Sequence, residues 1–133
     1  MEYPQNPPQV ITPNPEPKPG MLQAVAIITL VSGIINIMTG LGFTLGVVLG
    51  TLGIGLLCAP VTILPSVLGL FEVLYAVKLL PDPIQRTQPN QVIAILEICS
   101  ILFGNVLSCA AGIIILVFYN DPKVKAYFAW ANS

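Results

Sequence analysis

Apolar residues dominate the chain after a polar, proline-rich start. The first twenty residues carry seven prolines and few apolar side chains, a composition that opposes helix formation and favours disorder or polyproline II. After Gly20, the stretch "MLQAVAIITLVSGIINIMTGL" (21–41) is long enough to cross a hydrocarbon core of about 30 Å as a helix. The pattern predicts a disordered proline-rich tail over residues 1–20 and a first transmembrane helix at 21–41.

The next apolar stretch, residues 42–80, is too long for one transmembrane helix and just long enough for two. Pro60 indicates the break, because proline suits the first turn of a helix, where its missing N–H is not needed. This gives a short second helix at about 43–58 and a third at about 61–80. In an alternative with three spans, residues 42–60 are re-entrant.

The only polar loop between the predicted helices is "PDPIQRTQPNQ" (81–91), in which prolines mark turns. The apolar stretch that follows predicts a fourth and longest helix at about 92–119. Residues 21–119 then form a four-helix transmembrane bundle. Both ends of this bundle lie on one side of the membrane, and the polar loop lies on the other side.

Lysine and arginine are few, and they flank the predicted helices. Three of them flank the ends of the bundle and two flank the polar loop: Lys18, Lys123 and Lys125, then Lys78 and Arg86. Cytoplasmic segments of membrane proteins are enriched in basic residues. The pattern therefore favours a multi-pass protein of the cell membrane with both termini in the cytoplasm.

Residues 120–133 predict a short helix that lies along the membrane surface. Asp121 is suited to cap this helix, and Pro122 is suited to its first position. Basic and aromatic side chains follow at positions typical of an interfacial anchor: Lys123, Lys125, Tyr127, Phe128 and Trp130.

Small residues recur at helical spacing along one face of each predicted transmembrane helix. They allow close approach of helix backbones in lipid, where packing decides association. The residues that we expect to mediate helix packing or oligomerisation are Gly42, Gly46, Gly50, Gly53, Gly104, Ser108 and Gly112. One interpretation is a compact four-helix bundle. The other adds self-association through the glycine zipper of the second helix, since a chain of 133 residues provides little internal interface.

Polar side chains that fall inside the predicted helices are Asn36, Glu72, Glu97 and Asn105. Glu72 and Glu97 lie at similar depths in an antiparallel pair of helices, and a charged carboxylate in lipid costs roughly 2.5 kcal/mol or more. Three interpretations remain. The two carboxyls share a proton as structural hydrogen bonds, they bind a cation, or they relay protons.

Composition narrows the function classes. The chain is 55% hydrophobic and 8% charged, with a net charge of −1 and no histidine, and its mean hydropathy is +0.85. These values favour a membrane protein and oppose nucleic-acid binding. The sequence has no phosphate-binding loop, metal-ligand motif or nucleophile–base pair, so we expect no enzymatic activity, no cofactor and no metal site. The expected partners are the lipid bilayer and further copies of the chain. The tail is either a solvated segment, which we favour, or a docking site for a proline-binding protein.

Three short motifs carry a family resemblance: "LFEVL" (70–74), "ILEIC" (95–99) and the closing "LVFYNDPKVKAYF" (116–128). With the short helices around them, they resemble small bacterial four-span membrane proteins with a proline-rich head, and the CD20-like tetraspan pattern. The resemblance covers about residues 20–128. It implies a membrane tetraspan and no catalytic residues.

The sequence as a whole predicts an all-α integral membrane protein without enzymatic activity. Its predicted function is a self-associating structural or membrane-organising assembly. The alternatives are a small ion or proton channel that uses Glu72 and Glu97, and an accessory subunit of a larger membrane complex.

Overall fold

The protein is described by a computed structural model that covers residues 17–133, and this part of the chain is all-helical. The elements are α1 (Gly20–Gly50), a 3₁₀ helix (Ile54–Cys58), α2 (Ala59–Thr62), α3 (Leu64–Leu79), α4 (Gln91–Cys99) continued by a 3₁₀ helix (Ser100–Phe103), α5 (Val106–Tyr119) and α6 (Pro122–Ala131). The predicted all-α fold class is confirmed. The predicted disordered tail lies, up to residue 16, outside the described residues.

Helix α1 is longer than predicted. Its 31 residues run nine positions past the expected end at residue 41 and extend about 46 Å. Each glycine weakens a helix by about 1 kcal/mol, but an unpaired backbone group in apolar surroundings costs several times more, so the helix continues. Residues 43–58 are therefore not a separate second helix, because they are divided between the end of α1 and the 3₁₀ helix.

The chain reverses at Leu52 and Gly53, both of which have positive φ, 52° and 92°. Thr51 holds the turn, since its hydroxyl donates to the carbonyl of Val47 at 2.7 Å and accepts from the N–H of Gly55 at 2.6 Å. Beyond the turn, residues Ile54–Leu79 form one apolar helical unit. Pro60, which we expected to separate two spans, sits in the first turn of α2, where its missing N–H interrupts nothing.

Two helical units, Gly20–Gly50 and Ile54–Leu79, are long and apolar enough to cross a membrane. A third exists if α5 and α6, which meet at an angle of 76°, are counted together. The described residues thus contain two to three candidate membrane spans, where the sequence predicted four. This number is compatible with a membrane location.

The predicted fourth helix, residues 92–119, is broken in the middle and folded back on itself. Gly104 has φ of 78°, a left-handed conformation that glycine adopts without strain. The side chain of Asn105 then caps α5 by accepting from the N–H of Ser108 at 3.1 Å. The result is an antiparallel hairpin of α4 and α5, in which each of the two helices is only about 20 Å long.

Helix α3 packs on α1, α1 packs on α5, and α5 packs on α4. Helices α4 and α3 contact each other only weakly. Helices α1 and α3 cross at two glycines, because a Cβ atom on Gly33 would lie 2.8 Å from the carbonyl oxygen of Gly69. The apolar core lies at the hairpin's open end and includes Leu22, Val25, Leu79, Ile115, Tyr119, Val124 and Tyr127. Residues 41–63, here called the arm, extend beyond the hairpin tip and are mostly exposed.

The start of α1, the polar loop and α6 lie together at one end of the molecule, here called the basic end. The ammonium group of Lys18 donates to the carbonyl of Leu80 at 3.0 Å, and the hydroxyl of Tyr127 donates to the carboxylate of Asp82 at 3.2 Å. The expectation that loop 81–91 lies opposite both chain ends is therefore wrong. It fails because the hairpin replaces a full-length fourth span.

Candidate functional site

Six polar side chains are buried where the hairpin tip meets the middle of α1 and α3. They are Ser32, Asn36, Glu72, Glu97, Asn105 and Ser108, here called the polar cluster. None is more than 7% exposed, and both carboxyl groups belong to residues that are 0% exposed. Four separate helical elements contribute, so the cluster exists only in the folded chain.

Asn36 connects three of these elements. Its amide nitrogen lies 2.9 and 3.0 Å from the two carboxyl oxygens of Glu72 and 3.0 Å from the hydroxyl of Ser108. Its amide oxygen accepts from the side chain of Asn105 at 2.5 Å. A single side chain on α1 thereby fixes the position of α3 and of the hairpin tip.

The hairpin tip brings two helix ends into the cluster. Helix α5 is capped by Asn105, whose side chain contacts Asn36, and the 3₁₀ end of α4 stops at Phe103. Ser100 closes the tip by donating to the carbonyl of Glu97 at 2.6 Å.

The two carboxyl groups differ in their partners. Glu72 accepts from Asn36, whereas neither carboxyl oxygen of Glu97 has a hydrogen-bond partner among the described residues. Ser32 neighbours both carboxyls but donates instead to Ser108 at 3.2 Å. A buried carboxyl without a partner costs roughly 1–3 kcal/mol or more. Glu97 is therefore the one polar group of the cluster whose hydrogen bonding is incomplete.

Gly112 explains how Glu97 reaches this position. A Cβ atom on Gly112 would lie 2.9 Å from the Cβ of Glu97 and 3.0 Å from a side-chain carbon of Ile98. Only glycine at this position of α5 lets the two hairpin helices approach so closely. Glu97 and Glu72 together give the polar cluster two buried carboxyl groups, which suit a proton or a hard cation.

Two tyrosines, which sequence analysis did not single out, connect α5 and α3 to the end of the polar loop. Tyr119 donates to the hydroxyl of Tyr75 at 2.9 Å, and Tyr75 donates to the carbonyl of Gln88 at 2.8 Å. The N–H of Asn90 completes the chain by donating to Tyr75 at 3.0 Å. The available signal was that each tyrosine lies near the end of a long apolar stretch.

The predicted packing residues fall into three groups. Ser108 and Gly112 pack inside the chain, and Gly104 forms the hairpin turn. The four glycines of the predicted zipper lie in the arm, and a Cβ atom there would meet no other atom within 4 Å: Gly42, Gly46, Gly50 and Gly53. The first three belong to α1, and Gly53 lies in the turn that follows.

The predicted interfacial anchor is divided between surface and core. Lys123 and Lys125 are exposed, but Tyr127 and Phe128 are 0% and 4% exposed and belong to the core. Phe128 meets the tyrosine that ends α5 edge to face, at 6.1 Å between ring centroids. Trp130 packs against Tyr127 at 5.5 Å. The two buried rings attach α6 to the bundle, and their role as an interfacial anchor stays a prediction.

All five basic residues of the chain lie at the basic end: Lys18, Lys78, Arg86, Lys123 and Lys125. Lys18 donates to the last carbonyls of α3, a favourable place for a cation. Partial burial lowers the pKa of Lys18, and the nearby carboxylate of Asp82 acts in the opposite direction. The arm at the other end carries no charged residue.

A comparison of the chain with known protein families, curated proteins and solved structures finds no match. The resemblance to bacterial four-span proteins and to the CD20-like pattern stays a prediction. The features of the chain that bear on its function are the polar cluster, the arm and the basic end.

Proposed function

We propose that the chain is a non-enzymatic integral membrane protein that self-associates through its arm into a structural, membrane-organising assembly. The observation that carries the proposal is the open face of Gly42, Gly46 and Gly50. These residues follow one another at intervals of four on α1 and have no partner within the described chain. Glycines at this spacing allow helices in lipid to approach closely.

Glycine contacts inside the same chain support the proposal. Gly33 and Gly69 bring α1 and α3 together, and Gly112 does the same for the hairpin. Glycine-mediated contact is thus the way in which these helices pack. The arm carries three more glycines, at intervals of four, that make no such contact within the described chain, and its lack of charge leaves it suited to contacts within the bilayer.

We further propose that α1 and the Ile54–Leu79 unit cross the bilayer, that the hairpin enters to half depth, and that α6 lies on the surface. This topology revises the expected four spans to two full crossings. Because all five lysine and arginine residues lie at one end, the positive-inside rule assigns that end, and both termini, to the cytoplasm.

The self-association proposal is tested by measuring protein mass in native nanodiscs for wild type and for Gly46→Leu with Gly50→Leu. The matched control is Gly20→Leu, since a Cβ at Gly20 also meets no atom within 4 Å but lies outside the arm. We expect an oligomer for wild type and for the control, and a monomer for the double variant. A monomer in all three samples contradicts the proposal.

Cysteine cross-linking gives an independent measurement in native membranes. Cys58 lies in the arm and Cys99 lies on α4, and both are exposed. Mild oxidation should link two copies through Cys58, and the Cys58→Ser variant should stay unlinked. Linkage that survives Cys58→Ser, through Cys99, would contradict an interface formed by the arm.

The second candidate function is proton or cation passage through the polar cluster. Its support is Glu97, a fully buried carboxyl with no hydrogen-bond partner among the described residues. Buried carboxyls inside membrane proteins commonly mark ion or proton pathways. In liposomes, wild type should dissipate a pH or sodium gradient, whereas Glu97→Gln should not. Equal leakage of both gradients with and without Glu97 would exclude this function.

A further inference from the structure

A groove of about 720 Å³ runs along the bundle between α3 and α4. It exists because these two helices touch only weakly, whereas α1 packs closely on α3 and α5 packs closely on α4. Exposed apolar side chains form its walls, among them Phe71 and Leu74 on α3 and Leu96 on α4. The groove therefore opens sideways, towards the surroundings of the bundle.

The two ends of the groove differ in chemistry. At the basic end it is lined by Lys78, which is exposed, and by the partly buried Asn90. At the other end, level with the hairpin tip, it is lined by Leu64 and Phe103. A cation at one end of an otherwise apolar groove suits a ligand with an anionic head and an apolar chain.

We propose that this groove binds one phospholipid with an anionic headgroup. An acyl chain lies along the groove and the phosphate lies at Lys78. From Lys78 to Leu64 the groove follows α3 for about 21 Å. One leaflet with its headgroups is about as thick, since the whole bilayer measures roughly 40–45 Å. Anionic lipids are concentrated in the cytoplasmic leaflet, on the side to which the basic end is assigned.

The size and charge of the groove favour a lipid over a second copy of the chain. Its volume of about 720 Å³ lies within the range of small-molecule sites. Lys78 in its lining complements an anionic headgroup, whereas the arm through which copies are proposed to associate carries no charged residue. The proposal rests on membrane insertion but does not require self-association.

Native mass spectrometry of the full-length protein tests the proposal. The protein is stripped of lipid in mild detergent and titrated with phosphatidylglycerol or phosphatidylcholine. We expect one tightly retained lipid per chain and preference for phosphatidylglycerol. Lys78→Gln should weaken phosphatidylglycerol binding about fivefold, and Lys78→Arg should restore it. The control Lys125→Gln removes a charge from the same end but outside the groove, and it should leave binding unchanged.

A second pair of variants tests the apolar part of the groove. Leu96→Trp fills the groove and should abolish retention of the lipid, whereas Ile95→Trp adds the same ring on the neighbouring exposed position, outside the groove. If phosphatidylglycerol binding is unchanged in both Lys78→Gln and Leu96→Trp, the proposal is overturned. Oxidative linkage of two copies through Cys99, which lines the groove, also overturns it. The mass spectra report chain number separately, so a monomer that retains one phosphatidylglycerol rejects self-association alone.

Discussion

Glu72 and Glu97 show how two identical side chains in one cluster differ in their effect on stability. Both are fully buried, but only Glu72 has a hydrogen-bond donor, Asn36. Removing a satisfied buried group leaves its partner unpaired, whereas removing an unsatisfied group relieves a cost. Substituting each of the two carboxyl groups in turn therefore distinguishes a group that stabilises the fold from a group that is retained for its chemistry.

Replacing Glu97 with leucine should raise the free energy of unfolding by about 1–3 kcal/mol, because a buried carboxyl without a partner is exchanged for an apolar side chain. Glu72→Leu should lower it, because the amide of Asn36 loses an acceptor. Circular dichroism during unfolding in mixed detergent micelles measures both. A large loss of stability from Glu97→Leu would mean that this carboxyl is a structural hydrogen-bonding group after all.

Glycines have opposite roles in the two halves of α1. Near the middle of the helix, Gly33 is in contact with α3, and a Cβ atom there would lie 2.8 Å from a backbone carbonyl oxygen. Further along, Gly46 faces open space. The same residue type thus marks an internal helix contact at one position and an unoccupied surface at another.

We expect Gly33→Ala to destabilise the monomer by about 1–3 kcal/mol, because the added methyl group forces α1 and α3 apart. Gly46→Ala should leave the monomer as stable or slightly more stable, since alanine favours a helix by about 1 kcal/mol over glycine. Heating detergent-solubilised protein and measuring the soluble fraction compares the two. Equal melting of both variants would contradict the described α1–α3 contact.

The helical class was predictable from the sequence, but the path of the helices was not. Apolar stretches of this length require internally paired backbones, and helices provide this. Whether such a stretch runs straight or folds back depends on distant contacts. Gly104 and Asn105 lie in an apolar stretch that is long enough for one helix, and the reversal is held in part by a distant contact, the bond from Asn105 to Asn36.

The sequence predicted which residues form the candidate site, but it did not predict their hydrogen-bond partners. Glu72 and Glu97 stand out because carboxyls are rare in apolar stretches, and both lie in the polar cluster. Their different partners depend on which way Asn36 and Ser32 point, which no spacing rule specifies. The burial of Tyr127 and Phe128 was not predictable either, since the sequence does not show that α6 folds onto the bundle.

At the scale of the whole molecule, the start of α1, the polar loop and α6 lie together at the basic end. Loop 81–91, which four full spans would place opposite the termini, lies against Lys18 and α6. Sidedness of this loop therefore distinguishes the proposed two crossings from four spans. It does so without any assumption about function.

A membrane-impermeant maleimide should label Arg86→Cys and Ser133→Cys from the same side of the membrane, in a background in which Cys58, Cys99 and Cys109 are replaced by alanine. In inverted vesicles both sites should react, and in intact cells neither should react before lysis. Opposite labelling of the two sites would restore the four-span topology and exclude the half-depth hairpin.

The short hairpin helices also bear on how the protein is made. In the proposed topology, the insertion machinery handles helices of about 20 residues, and α4 and α5 each fall short of that length. Synthesis delivers α1 and the Ile54–Leu79 unit first, so Asn36 is already in place when Asn105 emerges from the ribosome. For that topology we expect biogenesis to proceed in two stages, in which the last third of the chain enters from the cytoplasmic face without any segment being translocated.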